Sequence, residues 1–171
     1  MSEMFDVYYP DGSYRGVFPR SECHGNPELI HCSVHIVVFD AQGKNILLQK
    51  RSLAKDIQPG KWDTAVGGHV DAGESIEAAA RRELAEELGV DNAELEFYFT
   101  SQIRNDIESE NVTVFKLYCD GPFEFAVDEI DEIRFWPLAG FAAENGCCNA
   151  DFTPNLQKEL QEIVQRELKN V

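Results

Sequence analysis

Residues 68–90 read GHVDAGESIEAAARRELAEELGV, a glycine-bearing loop that runs into a stretch dense in carboxylates. From Ser75 to Leu88 the residues are strong helix formers with neither proline nor glycine, so the spacing predicts a helix of about four turns. Gly89 ends it, because glycine takes a left-handed position past a helix C-terminus at little cost, and Val90 then folds back on the last turn. On this helix Glu83, Glu86 and Glu87 stand three or four residues apart, which places their carboxylates within one arc of about 100°. Like charges so spaced destabilise a bare helix by about 0.2–0.5 kcal/mol per pair. Arg82, four residues before Glu86, offsets part of this, but one arginine does not neutralise three acids. A hard divalent cation with oxygen ligands would.

An acidic face turned to solvent is the simpler explanation of most glutamate-rich helices, and the loop argues against it here. Counting from Gly68, fixed residue types recur as G-x5-E-x7-R-E-L-x-E-E-x-G-V, satisfied by Gly68, Glu74, Arg82, Glu83, Leu84, Glu86, Glu87, Gly89 and Val90. This pattern resembles the Nudix box. The resemblance implies an α/β/α sandwich with a mixed sheet and a Mg2+-dependent diphosphate site, with Mn2+ as the alternative ion. Glu83, Glu86 and Glu87, helped by a backbone carbonyl at Gly68, would hold the metal or activate water, and Glu74 and Arg82 would orient them. Glu86 is the first choice for general base, followed by Glu83 or an acid outside the box, Glu110 or Glu132. The glycines of the loop, Gly68 and Gly73, give the backbone freedom to approach ligand and metal.

A chain of 171 residues is long enough for one sizeable core, and a single domain 1–171 is expected, with residues 1–30 as an N-terminal hairpin and loop extension. A net charge of -16 argues against a nucleic acid polymer or an anionic membrane as partner. Bound cations would reconcile this charge with a small-molecule diphosphate substrate by inverting the local potential. No stretch approaches 18 apolar residues, and MSEMFDVYYPDG lacks a basic segment followed by an apolar run, so the expected location is the cytoplasm. Five cysteines without an even framework read as free thiols, with a redox or metal role for adjacent Cys147 and Cys148 as the lesser alternative.

Along the chain, Pro10-Asp11-Gly12 sets a hairpin turn between FDVYY and SYRGVF, and residues 18–30 read as irregular. Segments 31–39 and 45–50 are strands, WDTAVGG another, and 112–119 and 130–136 two more. Leu95, Phe97, Phe99, Ser101 and Ile103 alternate with polar positions and predict a half-buried strand with those five residues inward. Pro137-Leu138 is a candidate short-helix start, and Thr153-Pro154 opens a terminal helix whose apolar face is Leu156, Leu160, Ile163, Val164 and Leu168. Lys50, Arg51, Lys55 and Lys61 concentrate basic charge in and around a loop just before WDTAVGG. Arg51, as a bidentate fork, and Lys55, as a point charge, are the candidate phosphate clamps. Trp62, Phe97, Tyr98, Phe99 and Trp136 offer stacking faces, although aromatics so spaced are usually core.

Beyond the box, His24, His31, the run LLQKRSLAK, PGKWD, the pair Gly68-His69 and Glu108-Ser-Glu110 are similar to the isopentenyl diphosphate isomerase branch of the family. That resemblance implies a second metal site of His24, His31, His69, Glu108 and Glu110, leaves His35 as a structural histidine, and makes a homodimer a candidate assembly. Isomerases of this kind need a cysteine immediately before the Gly-His pair, and this chain has Gly67 there. Their box is also degenerate at the positions of Glu83 and Glu86. The expectation is therefore a Nudix hydrolase cleaving the phosphoric anhydride of a nucleoside diphosphate derivative or related diphosphate. The alternatives are an isopentenyl diphosphate isomerase and a non-catalytic domain that binds a diphosphate ligand.

Overall fold

A computed structural model describes residues 2–168; residue 1 and residues 169–171, the two ends of the expected domain, lie outside them. In chain order the elements are β1 (Met4–Tyr8), β2 (Tyr14–Pro19), α1 (Arg20–Cys23), β3 (His31–Phe39), β4 (Asn45–Arg51), β5 (Trp62–Thr64), β6 (Val66–His69), α2 (Ile76–Leu88), β7 (Glu96–Arg104), β8 (Ser109–Tyr118), β9 (Ile130–Pro137), α3 (Leu138–Phe141) and α4 (Pro154–Leu168). β1 and β2 form the expected hairpin, with Gly12 at φ +85° in its turn. Residues 18–30 are more regular than the sequence reading has them. β2 runs to Pro19 and the single turn of α1 follows, because Cys23 and Leu29 close a small apolar cluster with Phe5 and Val7.

The main sheet is mixed. β3 runs parallel to β8 along its whole length, and antiparallel to β4 at its C-terminal end and to β6 near its N-terminal end. β5 pairs with β4, so the WDTAVGG run changes partner at Ala65, leaving β4 and joining β3. That crossing delivers Gly67, Gly68 and His69 opposite His35, Val34 and Ser33 in the middle of the molecule. β7 lies outside β8, and β9 pairs with β4.

Alternation along β3 sorts the core into two layers, because successive side chains point to opposite faces. Val34, Ile36 and Val38 meet Ala79, Ala80, Leu84 and Leu88 of α2, whereas Val37 and Phe39 meet Leu156, Leu160, Ile163 and Val164 of α4. The result is a sheet between two helices. Burying each of the four α4 side chains is worth roughly 1.5–3 kcal/mol, enough to hold a helix that would be marginal alone.

β7 departs from strict alternation. Phe97 stands opposite Phe115 but Phe99 stands opposite the next residue, Val114, so Tyr98 is an extra residue in a bulge. The slip turns Phe97 out to 59% exposure while Phe99 stays buried, and Ser101 is exposed rather than inward.

Candidate active site

α2 is capped at both ends as its sequence dictates. Ser75 Oγ accepts the Ala78 N–H at 3.1 Å, and Gly89 adopts φ +65° with its N–H on the Ala85 carbonyl at 3.0 Å. These caps fix the register that aims the acids at β6. Glu87 is buried, accepting Gln49 Nε2 at 2.9 Å and the Gly67 N–H at 3.4 Å. Burial, reinforced by Glu83, pushes its carboxyl up to about 8. Glu83 presses against the loop so closely that a Cβ on Gly68 would lie 2.0 Å from its Cδ, and its pKa is also raised by burial. Glu86 is the open member of the three, with its side chain 60% exposed.

Arg82 ties loop to helix. Its Nε and one terminal nitrogen donate to the two oxygens of Glu74 at 3.0 and 2.9 Å, and that same terminal nitrogen also donates to the His69 carbonyl at 3.0 Å. The other terminal nitrogen donates to Glu83 at 2.7 Å and Glu86 at 3.3 Å. Hydrogen bonding to Arg82 holds the Glu74 carboxyl below its ordinary range. The arginine thus divides its fork among Glu74, the His69 carbonyl, Glu83 and Glu86, with Glu86 at the longest distance.

Glu83, Glu86 and Glu87 line a cleft of about 250 Å³, and Gly68, Arg51 and Lys55 line it too. The two basic residues are already engaged. Arg51 donates to the Ile57 carbonyl at 3.0 Å and to Asp63 at 3.3 Å, and Lys55 donates to Glu129 at 2.7 Å. Glu132, one of the alternative bases, pairs with Arg134 and does not line the cleft. Trp62 and Phe99 belong to the core, and Trp136 packs against it.

His24, His69 and Glu110 line the same cleft, and with His31 they bring one ligand atom each to within 4.8 Å of one another. Glu110 stands 3.3 Å from His69 Nε2 and 3.6 Å from His31 Nε2, and Phe5 of β1 stacks on the His31 ring and lies tilted against that of His69. His31 Nδ1 lies 3.3 Å from the Leu29 carbonyl, the partner that fixes a ring for ligation through Nε2. The Nε2 atoms of His24 and His31 are buried without a hydrogen-bond partner among the described residues, an arrangement that a cation would satisfy. Burial, aided by His69, lowers the His24 pKa to about 4, which leaves its lone pair free. Glu108 does not join the four. It sits before β8 in a turn whose Asn105 side chain accepts its N–H at 2.8 Å, lining the cleft apart from the cluster.

A family model described as the NUDIX domain matches residues 29–156. The chain belongs to the Nudix family. Among relatives, it is 35% identical over 159 residues to the uncharacterized Nudix hydrolase YfcD of Escherichia coli K12, covering 88% of this chain and 78% of that protein. Nudix hydrolase 3 of Arabidopsis thaliana is 44% identical over 89 residues, 52% of this chain but 11% of that protein. The crystal structure of DR0079 from Deinococcus radiodurans superposes with a TM-score of 0.78 at 21% identity, covering 94% and 98% of the two chains, and shares the fold. With relatives of comparable length that are hydrolases, this Nudix protein is an enzyme of the pyrophosphohydrolase class.

Sequence reasoning missed two polar residues of this Nudix cleft. Gln49 steadies Glu87 from β4, and its place directly after the apolar run Ile46-Leu47-Leu48 was the available signal. His35, read only as structural, has its Nδ1 2.6 Å from Glu159 Oε2 on α4. No local spacing joins residues 124 positions apart.

Proposed function

We propose that the enzyme hydrolyses a phosphoric anhydride in a small-molecule diphosphate with a divalent cation, Mg2+ first and Mn2+ as the alternative, held by Glu83, Glu86, Glu87 and the Gly68 carbonyl. The observation that carries this reading is the packing of Glu83 and Glu87 side by side under the Gly68 loop, with burial raising both carboxyls. Oxygen donors crowded at that cost fit a hard cation. When bound, the ion neutralises phosphate oxygens and acidifies a water ligand. Glu86, open to the cleft, takes the water's proton, with Glu83 second in rank. Arg82 and Glu74 hold the helix and loop in register, and Arg51 and Lys55 turn from Asp63 and Glu129 to the substrate's phosphates.

The geometry of His24, His31, His69 and Glu110 supports a second metal site, read as in the isomerase-like branch but with four ligands and without Glu108. An isomerase activity is not favoured, because the position before Gly68 carries no thiol. A non-catalytic binding domain is disfavoured by the complete set of box acids. Glu86→Gln and Glu87→Gln are expected to fold normally and to lower turnover at least about a hundredfold in a chromatographic screen of diphosphates with Mg2+ or Mn2+. Full activity in both variants would defeat the assignment.

A further inference from the structure

His35 stands on β3 directly opposite Gly67 of β6 and lines the acid-bearing cleft. Its Nδ1 meets Glu159 Oε2 of α4 at 2.6 Å, so the ring's counter-ion lies behind it. Burial opposes a charge on this ring, but Glu159 overrides it, helped by Asp63 of β5 and Glu110 of β8, and raises the ring to about 9. Lys158 and Glu162 of α4 line the pocket on the Glu159 side of the ring.

The other ring nitrogen, Nε2, lies toward Gly67, 3.6 Å from where a Cβ on that residue would stand. No acceptor meets Nε2 among the described residues, yet it is not sealed in as the Nε2 atoms of His24 and His31 are. The side chain is 13% exposed, and Gly67 has none of its own to screen the ring. Gly67 also donates its N–H to Glu87, so the imidazole and a box acid flank the same residue of β6. Arg51, Lys55 and Arg82, cations of the same cleft, each point their charged ends at carboxylates. His35 has its acid on one nitrogen and a donor to spare on the other, so it meets a phosphate oxygen without giving up a partner.

We infer that His35 is a further catalytic residue of the hydrolysis, a fixed cation oriented by Glu159 whose Nε2–H donates to an oxygen of the scissile anhydride. The inference rests on the hydrolysis reading above and adds a residue from outside the box to it. Water still attacks one phosphorus and gives its proton to Glu86, the P–O bond to the departing phosphate breaks, and the bonding electrons leave with that phosphate. The ring transfers no proton. A phosphate ester takes up its second proton only near pH 6, far below the ring at about 9, so the hydrogen stays on nitrogen and stabilises the charge that develops on oxygen.

NMR of the full chain labelled with 15N-histidine, with Mg2+ and methylenediphosphonate as the uncleavable probe, tests the contact. At pH 8 the His35 ring is expected to carry both protons, and its Nε2–H signal is expected to shift when the probe is added. Kinetics on the diphosphate cleaved fastest in the screen test the role. His35→Gln is expected to lower kcat at least about tenfold while KM stays within about threefold, and to remove a fall in wild-type kcat as pH rises through 9. Gly67→Val screens Nε2 but leaves the pair with Glu159 intact, so it is expected to lower kcat and silence the probe response while the ring stays charged; it serves even where His35→Gln fails to fold. A ring that is neutral at pH 8, a ring signal that the probe leaves unmoved, or wild-type kcat in the folded variants would overturn the inference alone. A wild type that cleaves no diphosphate in the screen would overturn the hydrolysis reading and this inference with it.

Discussion

A methyl group on Gly68 would sit 2.0 Å from the Glu83 carboxyl carbon, so the end of that side chain must move aside to admit it. Gly68→Ala is therefore expected to displace Glu83 and cut turnover at least about tenfold, a smaller loss than removing an acid outright. Side-by-side kinetics with Gly73→Ala separate crowding from backbone strain, since Gly73 has φ +78° but open space around it. His35 makes a second residue-scale prediction. Its folded pKa of about 9 exceeds the ordinary 6.5, so the stability that it contributes is full below pH 6.5 and is lost as pH rises through 9. Urea midpoints of the wild type and His35→Gln should differ most near pH 6 and converge by pH 10. A gap that holds constant across this range would show that the ring is not charged in the fold.

At the scale of elements, α2 and α4 do different work on opposite faces of the sheet. α4 is an anchor: Leu160 is fully buried between β3 and the Phe152 cluster, and Leu160→Ala is expected to cost about 2–5 kcal/mol in chemical denaturation. Turnover per folded molecule should change little beside that loss. α2 was legible in its glycine stop and acid spacing, which are properties of consecutive residues, whereas Ser75, read as its first residue, is its N-cap. The bulge in β7 was not legible, because the slip at Tyr98 is decided by what β8 presents opposite it, Phe115 and then Val114. Glu108, a ligand candidate on resemblance alone, lies ahead of β8, which begins only at Ser109, so no strand alternation places it relative to Glu110.

Over the whole molecule, the chain carries a net charge of -16 and still gathers Glu83, Glu86, Glu87, Glu110 and Glu108 around one cleft. Such a concentration of acid is self-repelling unless cations join it, and the three histidines that meet Glu110 extend the same logic across the cleft. No described helix is long and apolar enough to cross a membrane. The sequence made the fold and the α2 acids readable because a short motif encodes both. It concealed His35 with Glu159, and the commitment of Arg51 and Lys55 to Asp63 and Glu129, because those partners meet only through tertiary packing. If the α2 acids hold a divalent ion, anomalous scattering from crystals soaked in Mn2+ will show a peak bonded to the Glu83, Glu86 and Glu87 carboxylates at about 2.0–2.3 Å. An enzyme that cleaves a diphosphate with Mn2+ while showing no peak on that helix would contradict it.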